Sequence, residues 1–228
     1  MSGRLVDEPR DSASGVTRQS EGSDPLGRIA NLSDGIFAVA LTLLVLDLRT
    51  PVLTHPTDRD LFAALVDASP AVATFVLSFV VVGAYWLSHH RLFNLIKRYD
   101  RGLVYVNFAF LLTICFIPYP TSVIGQYGQL SSAAIFYAAS LAVSSLALTL
   151  VFGYVANRPS LTDPGNVPIL RYFAFRAVVA VVVFLGSIPV AVASPIAGEL
   201  SWVLILPAFL VLRLTVGRSL RDDLRSGV

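Results

Sequence analysis

The chain has 228 residues, of which 55% are hydrophobic and only 14% charged, with a mean hydropathy of +0.70. A soluble domain carries about 25% charged residues and cannot hide this much apolar surface in one core, so the class is integral membrane. A formal net charge of +2 without a basic, aromatic-laced patch argues against nucleic acid as a partner, and the single cysteine, Cys115, excludes an intrachain disulfide.

The first 24 residues are rich in Ser, Gly, Asp and Arg and contain no apolar stretch of signal-peptide type, so a disordered tail is expected there. A first helix is predicted over 25–48. Asp24 is a candidate cap, Pro25 suits the first helical position, and a helix of this length covers roughly 36 Å, enough to cross a bilayer. Residues 49–51, Arg-Thr-Pro, end it. The next segment, to about residue 69, reads as an external loop with an interfacial helical turn at LFAALV.

A second span begins at Pro70 and runs without charge to Leu87, continuing into SHHRLFNLIKRYD, where Trp86 and the basic residues mark the membrane boundary. A third is predicted over 103–124, kinked or ended by Pro118 and Pro120. Further spans follow over 133–155, 167–193 and 200–215, the last with room to begin further back, and residues 218–228 form a charged tail. The expected fold class is therefore an all-α integral membrane protein with six transmembrane helices, a core unit over 25–217, and tails at 1–24 and 218–228. The apolar runs are too continuous for a β-barrel.

An even number of spans puts both ends of the chain on one side. Arg4, Arg10, Arg18 and Arg28 precede the first span. Arg91, Lys97, Arg98 and Arg101 lie in the second loop, Arg158 and Arg171 in the fourth, and Arg218, Arg221 and Arg225 in the tail. Only Arg49 and Arg59 lie in the opposite loops. The positive-inside rule then makes both termini cytoplasmic, in the plasma membrane of the cell.

The first helix differs from an ordinary lipid-facing span. At about 100° per residue, Leu32, Ile36, Val39, Leu43 and Leu46 fall on one apolar stripe with Thr42 beside it. Asp34 lies roughly 140° from Val39, and Ser33 roughly 120° away on the other side. Ser and Asp favour the first turn of a helix, but Asp24-Pro25 already starts this one, which leaves Ser33-Asp34 more than two turns in. A carboxylate there costs a few kcal/mol unless partnered, so an interhelical polar network is expected, with Trp86 and His89 as a plausible partner set for Ser33 or Asp34. Asn107 is a candidate bridge between helices. His89 and His90 point about 100° apart and cannot chelate together, and no Cys or acidic ligand is suitably spaced, so no metal or cofactor is expected. Arg176 and Arg213 read as cations near helix ends, snorkelling to the cytoplasmic boundary or paired. Asp47 could attract cations or be a solvated end charge, and Cys115 reads as a small apolar filler. With no nucleophile–base pair, phosphate loop or carboxylate pair, an enzyme is not expected.

Arg28, the Leu-Ser-Asp-Gly run at 32–35 and IFAVALTLLVL at 36–46 resemble the first-helix signature of the transmembrane protein 175 family of potassium channels, Arg-x-x-x-Phe-Ser-Asp followed by an Ile/Leu-rich helix. The span pattern and the segment from Trp86 through His89 to Phe93 are also similar to its bacterial members. The resemblance implies a homotetramer, since one signature is present rather than two. It further implies that the first helix of each subunit lines a central pore, with Val39 at the narrowest layer, Leu43 and Leu46 beyond it, and Thr42 in a polar ring bearing on ion preference. Arg28, Ser33 and Asp34 would then tie this helix to its neighbours. Leu32 stands where the family more often has Phe. Val39 is smaller than the usual Ile or Leu, which leaves Leu43 an alternative constriction.

The implied function is a potassium-preferring cation channel with a hydrophobic constriction, whose partners are potassium, other monovalent cations more weakly, membrane lipid and three further copies. The alternatives are a proton-coupled secondary transporter working through Asp34 and His89, a proton leak channel, or a membrane scaffold. Stripes such as 36/39/43/46 are also the ordinary mark of a packing seam.

Overall fold

The computed structural model describes residues 25–48, 51–53, 57–205 and 207–209. The two tails, Asp24, Arg49 and Arg213 lie outside the described residues, as does the end of the sixth predicted span. Among the described residues every element is helical, and five helical segments are long and apolar enough to cross a membrane.

Helix α1 spans Pro25–Leu43 and tightens into a 3-10 turn at Leu44–Asp47. Helix α2, Asp58–Asp67, is the interfacial piece. Thr57 caps it, accepting the Asp60 N–H at 3.2 Å, and its apolar residues Phe62, Leu65 and Val66 are all exposed. Helix α3 covers Ser69–Leu95. The third predicted span is two helices, α4 at Arg101–Phe116 and α5 at Pro118–Tyr127. The break has a local cause. Pro118 and Pro120 carry no N–H for the carbonyls of Ile114 and Phe116, and Ile117 bonds back three residues to Ile114 instead of four.

Helix α6, Ser131–Ala156, is the spine of the bundle and packs on α3, α4, α5, α7 (Val167–Ala193) and α8 (Pro195–Ser201). Its sequence explains the role. Alanine and serine recur on every side, so neighbours approach its backbone closely, and the α6–α7 pair is the most extensive contact in the chain. Pro189 lies inside α7 without ending it. Just ahead of where the sixth span is expected, the seven-residue helix α8 begins at Pro195, capped by Ser194. A Cβ placed on Gly198 would meet the Ala191 Cβ at 2.6 Å and its Cα at 2.9 Å, so α8 crosses α7 almost backbone to backbone. Gly198→Ala is expected to lower the thermal midpoint of the purified protein, through overpacking of about 1–3 kcal/mol. A midpoint equal to wild type would show that this crossing is soft.

The start of α1, the end of α3, the start of α4 and the α6–α7 loop meet at one end of the bundle. There Thr162 donates its hydroxyl to the Leu95 carbonyl at 2.7 Å, and the Lys97 N–H bonds the Leu161 carbonyl at 2.8 Å. Asp100 is the hub. It accepts the Leu103 N–H at 2.7 Å, the Tyr154 hydroxyl at 2.9 and 3.0 Å, and Arg158 Nη1 at 3.1 Å. The Leu103 amide first, then Tyr154 and Arg158, hold its carboxyl below the usual carboxylate range. A depressed carboxylate stabilises the fold above its unfolded pKa and loses that contribution as pH falls through the folded value. The thermal midpoint is therefore expected to fall as pH drops below about 4, and Asp100→Asn should flatten that part of the profile.

Candidate pore-lining helix and its polar anchor

One face of α1 is held by the rest of the chain. Ser33, Phe37, Ala40 and Leu44, spaced four, three and four residues apart, are all buried, against Phe110 and His89 among others. The opposite face is left largely uncovered by the described residues: Val39 is 57% exposed and Leu46 74%, against 1% for Phe37. Leu32, Thr42 and Leu43 are exposed on that side too, while Ile36 is half-buried at its edge. Thr42 returns its hydroxyl to the Val39 carbonyl at 2.9 Å. The helix thus presents branched apolar side chains, with one hydroxyl, on a face that the other described residues leave largely exposed.

The packed face is locked by a directional chain of hydrogen bonds. Ser33 donates its one proton to the Ile29 carbonyl at 2.9 Å, so its oxygen can only accept from Asn107, which supplies Nδ2 at 3.1 Å. That turns the Asn107 carbonyl oxygen toward His89 Nε2, 2.8 Å away, and a carbonyl only accepts, so Nε2 must carry the proton. Proton ownership is therefore set along the line His89, Asn107, Ser33, Ile29. The His89 ring is clamped between Phe93 at 4.4 Å and Phe110 at 5.7 Å, with Phe37 at 5.6 Å. A second tie runs from Trp86 Nε1 to Asp34 Oδ1 at 2.8 Å. Together these join α1, α3 and α4 near the basic end.

Trp86 meets Asp34 directly, whereas His89 reaches Ser33 only through Asn107. Arg28 is exposed and stands apart from this chain, with no hydrogen bond or ion pair among the described residues. Six residues along a helix turn it about 600°, which leaves Arg28 roughly 120° from Asp34 and unable to fold onto it. His90 is exposed and its ring lies tilted against Trp86, and Cys115 lies exposed on α4 rather than in the core. Among the described residues no three His, Cys, Asp or Glu side chains converge as a metal site would need.

Two further buried clusters were not singled out in the sequence. Thr121, Ser78 and Tyr137 join α5, α3 and α6 at 3.0 and 2.9 Å, and Tyr85 spans from α3 to Ser145 and the Leu141 carbonyl on α6 at 2.8 and 2.9 Å. Their only trace is the placing of hydroxyl residues in otherwise apolar runs.

Residues 28–118, which hold the anchored helix and both of its partners, match the family described as endosomal/lysosomal potassium channel TMEM175. A potassium channel of Streptomyces collinus is 36% identical over 126 residues, covering 55% of this chain and 60% of the relative. One from Chamaesiphon minutus is 34% identical over 140 residues, covering 60% of this chain and 67% of the relative. The human endosomal/lysosomal proton channel TMEM175 is 23% identical over 163 residues, covering 71% of this chain but 32% of that protein. The matches thus span about three fifths to two thirds of the bacterial relatives' own length.

In three dimensions the crystal structure of a lysosomal potassium-selective channel TMEM175 homolog from Chamaesiphon minutus superposes with a TM-score of 0.70 at 27% identity, over 82% of this chain and 98% of that one. The potassium channel MtTMEM175, as a T38A variant, shares the fold at 18% identity, with a TM-score of 0.58 over 86% of this chain and 93% of that one. The signature on α1, the family match over residues 28–118, the Chamaesiphon minutus relative and the shared helical architecture agree: the chain belongs to the TMEM175 family.

Proposed function

We propose that the chain is a potassium-preferring cation channel in which four copies bring the exposed faces of their α1 helices to a common axis. The carrying observation is the division of α1 into two faces. Phe37, Ala40 and Leu44 are spent on intrasubunit packing, while Val39, Leu43 and Leu46 stay open although the polar anchor holds the helix rigidly. The naming of three bacterial relatives as potassium channels supports the reading. Each subunit contributes six membrane-spanning helices, the sixth starting at α8, with both termini in the cytoplasm at the basic end of the bundle. Four apolar side chains in a ring exclude water when close together and pass ions when slightly apart. Such a ring offers no coordinating oxygens, so preference among cations is modest and falls to Thr42 and partial dehydration.

The test is flux from liposomes loaded with potassium. A channel empties them without a coupling gradient and without saturation, and bi-ionic recording then ranks potassium over sodium. Flux that needs an imposed proton gradient would identify a coupled transporter instead. Proton passage is a second reading, favoured by the human relative named a proton channel, and a trapped pH dye in the same liposomes reads it directly.

A further inference from the structure

On a different face of α3 from the polar anchor lies a crevice with a marked division of character. Val81, Ala84, Ser88 and Arg91 succeed one another at helical spacing along α3 toward the basic end. Phe173, Arg176, Ala177, Ala180 and Phe184 do the same along α7 in the opposite sense. Between them is a void of about 110 Å³, floored by Leu148 and Phe152 of α6 and covered by Ile205 and Phe209. Its inner walls are mostly apolar, broken by Tyr85, Ser88 and Ser145, and at its mouth two guanidinium groups converge on one aromatic ring. Arg91 and Arg176 each lie 5.8 Å from the centre of Phe173, and Arg176 also covers Phe209 at 4.2 Å. Tyr172 stands beside Arg176. Among the described residues the ion pairs are Lys97–Asp163 and Arg158–Asp100, so neither of these arginines has a carboxylate partner. Arg176 is half-buried all the same.

From this geometry we propose that the crevice binds one anionic phospholipid per subunit. The headgroup phosphate lies between Arg91 and Arg176, and an acyl chain runs down the wall of Ala84, Ala177 and Ala180. The charge complementarity is specific. Two weakly hydrated, forked donors meet a phosphate where anionic lipid headgroups lie, and the apolar channel leads from them toward the bilayer interior. The small residues Ala84, Ala177 and Ala180 leave the width that a chain of methylenes occupies.

The full chain in detergent is titrated with phosphatidylglycerol, and in parallel with phosphatidylcholine of the same acyl chains, and read by native mass spectrometry. One tightly held phosphatidylglycerol per subunit is expected. Arg91→Gln and Arg176→Gln each weaken it about fivefold and the pair about 25-fold, while Lys97→Gln leaves it unchanged. Ala84→Trp, which fills the crevice without touching a charge, lowers affinity as well, and Arg176→Lys retains most of it if Arg176→Gln proves unstable. Equal binding of the two lipids, or equal loss in Lys97→Gln, overturns the proposal. So does full displacement by inorganic phosphate, which would make the site one for a free anion. Binding that emerges only in Asp222→Asn/Asp223→Asn would assign the site to the two aspartates of the chain's own C-terminal tail and overturn it equally.

Discussion

Val39→Ala and Leu43→Ala are expected to raise potassium conductance by about tenfold or more each, while leaving the fold intact. In the proposed tetramer each substitution acts four times on one ring, widening the apolar constriction and favouring its filling with water. A tenfold rise corresponds to only about 1.4 kcal/mol off the barrier to permeation, a small demand on four truncated side chains. Both side chains are on the uncovered face of α1, so removing their methyl groups opens no cavity within the subunit, and stability should stay within about 0.5 kcal/mol of wild type. Phe37→Ala on the opposite face is the contrasting control. It empties a fully buried aromatic site beside Phe110 and His89, and is expected to cost about 3–5 kcal/mol of stability. Single-channel recording and thermal unfolding of the three variants separate the faces. Unchanged conductance in both Val39→Ala and Leu43→Ala would remove the constriction from α1 and with it the proposed pore.

Asn107→Leu is expected to be among the most destabilising single changes in the chain, by about 3 kcal/mol, with loss of assembled protein. Leucine fills much the same volume but makes neither bond. The His89 Nε2–H then loses its acceptor and the Ser33 oxygen its donor, both at positions reached by almost no solvent. Each stranded group costs about 1–3 kcal/mol. The interaction is directional, so its partners should not behave independently. Once Asn107 is gone, adding Ser33→Ala should cost much less than Ser33→Ala costs in the wild-type chain. Thermal midpoints of the single and double variants give the coupling directly. Strict additivity, or an Asn107→Leu protein as stable as wild type, would mean that the anchor contributes little and that α1 is held by packing alone.

The relation between the two expectations matters for function. A stripe facing a pore cannot be held by partners in its own subunit without blocking the path. The helix must be fixed from behind, and Asn107 and Trp86 reach it there. Conductance variants and stability variants should accordingly segregate onto opposite faces of α1.

Much of this was legible before any coordinates. A bilayer demands about 20 apolar residues per helix, and that demand writes itself into the chain as runs that place α1, α3, α4–α5, α6 and α7 within a few residues. Pro118 and Pro120 announced the break between α4 and α5, because a missing N–H is a property of the residue rather than of its surroundings. Asp34, two turns into an apolar helix, announced that a partner must exist. Trp86 and His89 were already candidate partners and Asn107 a candidate bridge, but the pairing of Trp86 with Asp34, the passage from His89 to Ser33 through Asn107, and the standing of Arg28 apart from them among the described residues were decided only by tertiary structure. Those contacts join residues 52, 18 and 74 positions apart, and spacing along one helix carries no information about another. Which side of α1 is packed was equally hidden. In a soluble helix the polar face marks itself, but in a membrane both sides are apolar, so the stripe of Phe37, Ala40 and Leu44 and the stripe of Val39, Leu43 and Leu46 look alike until neighbours cover one of them.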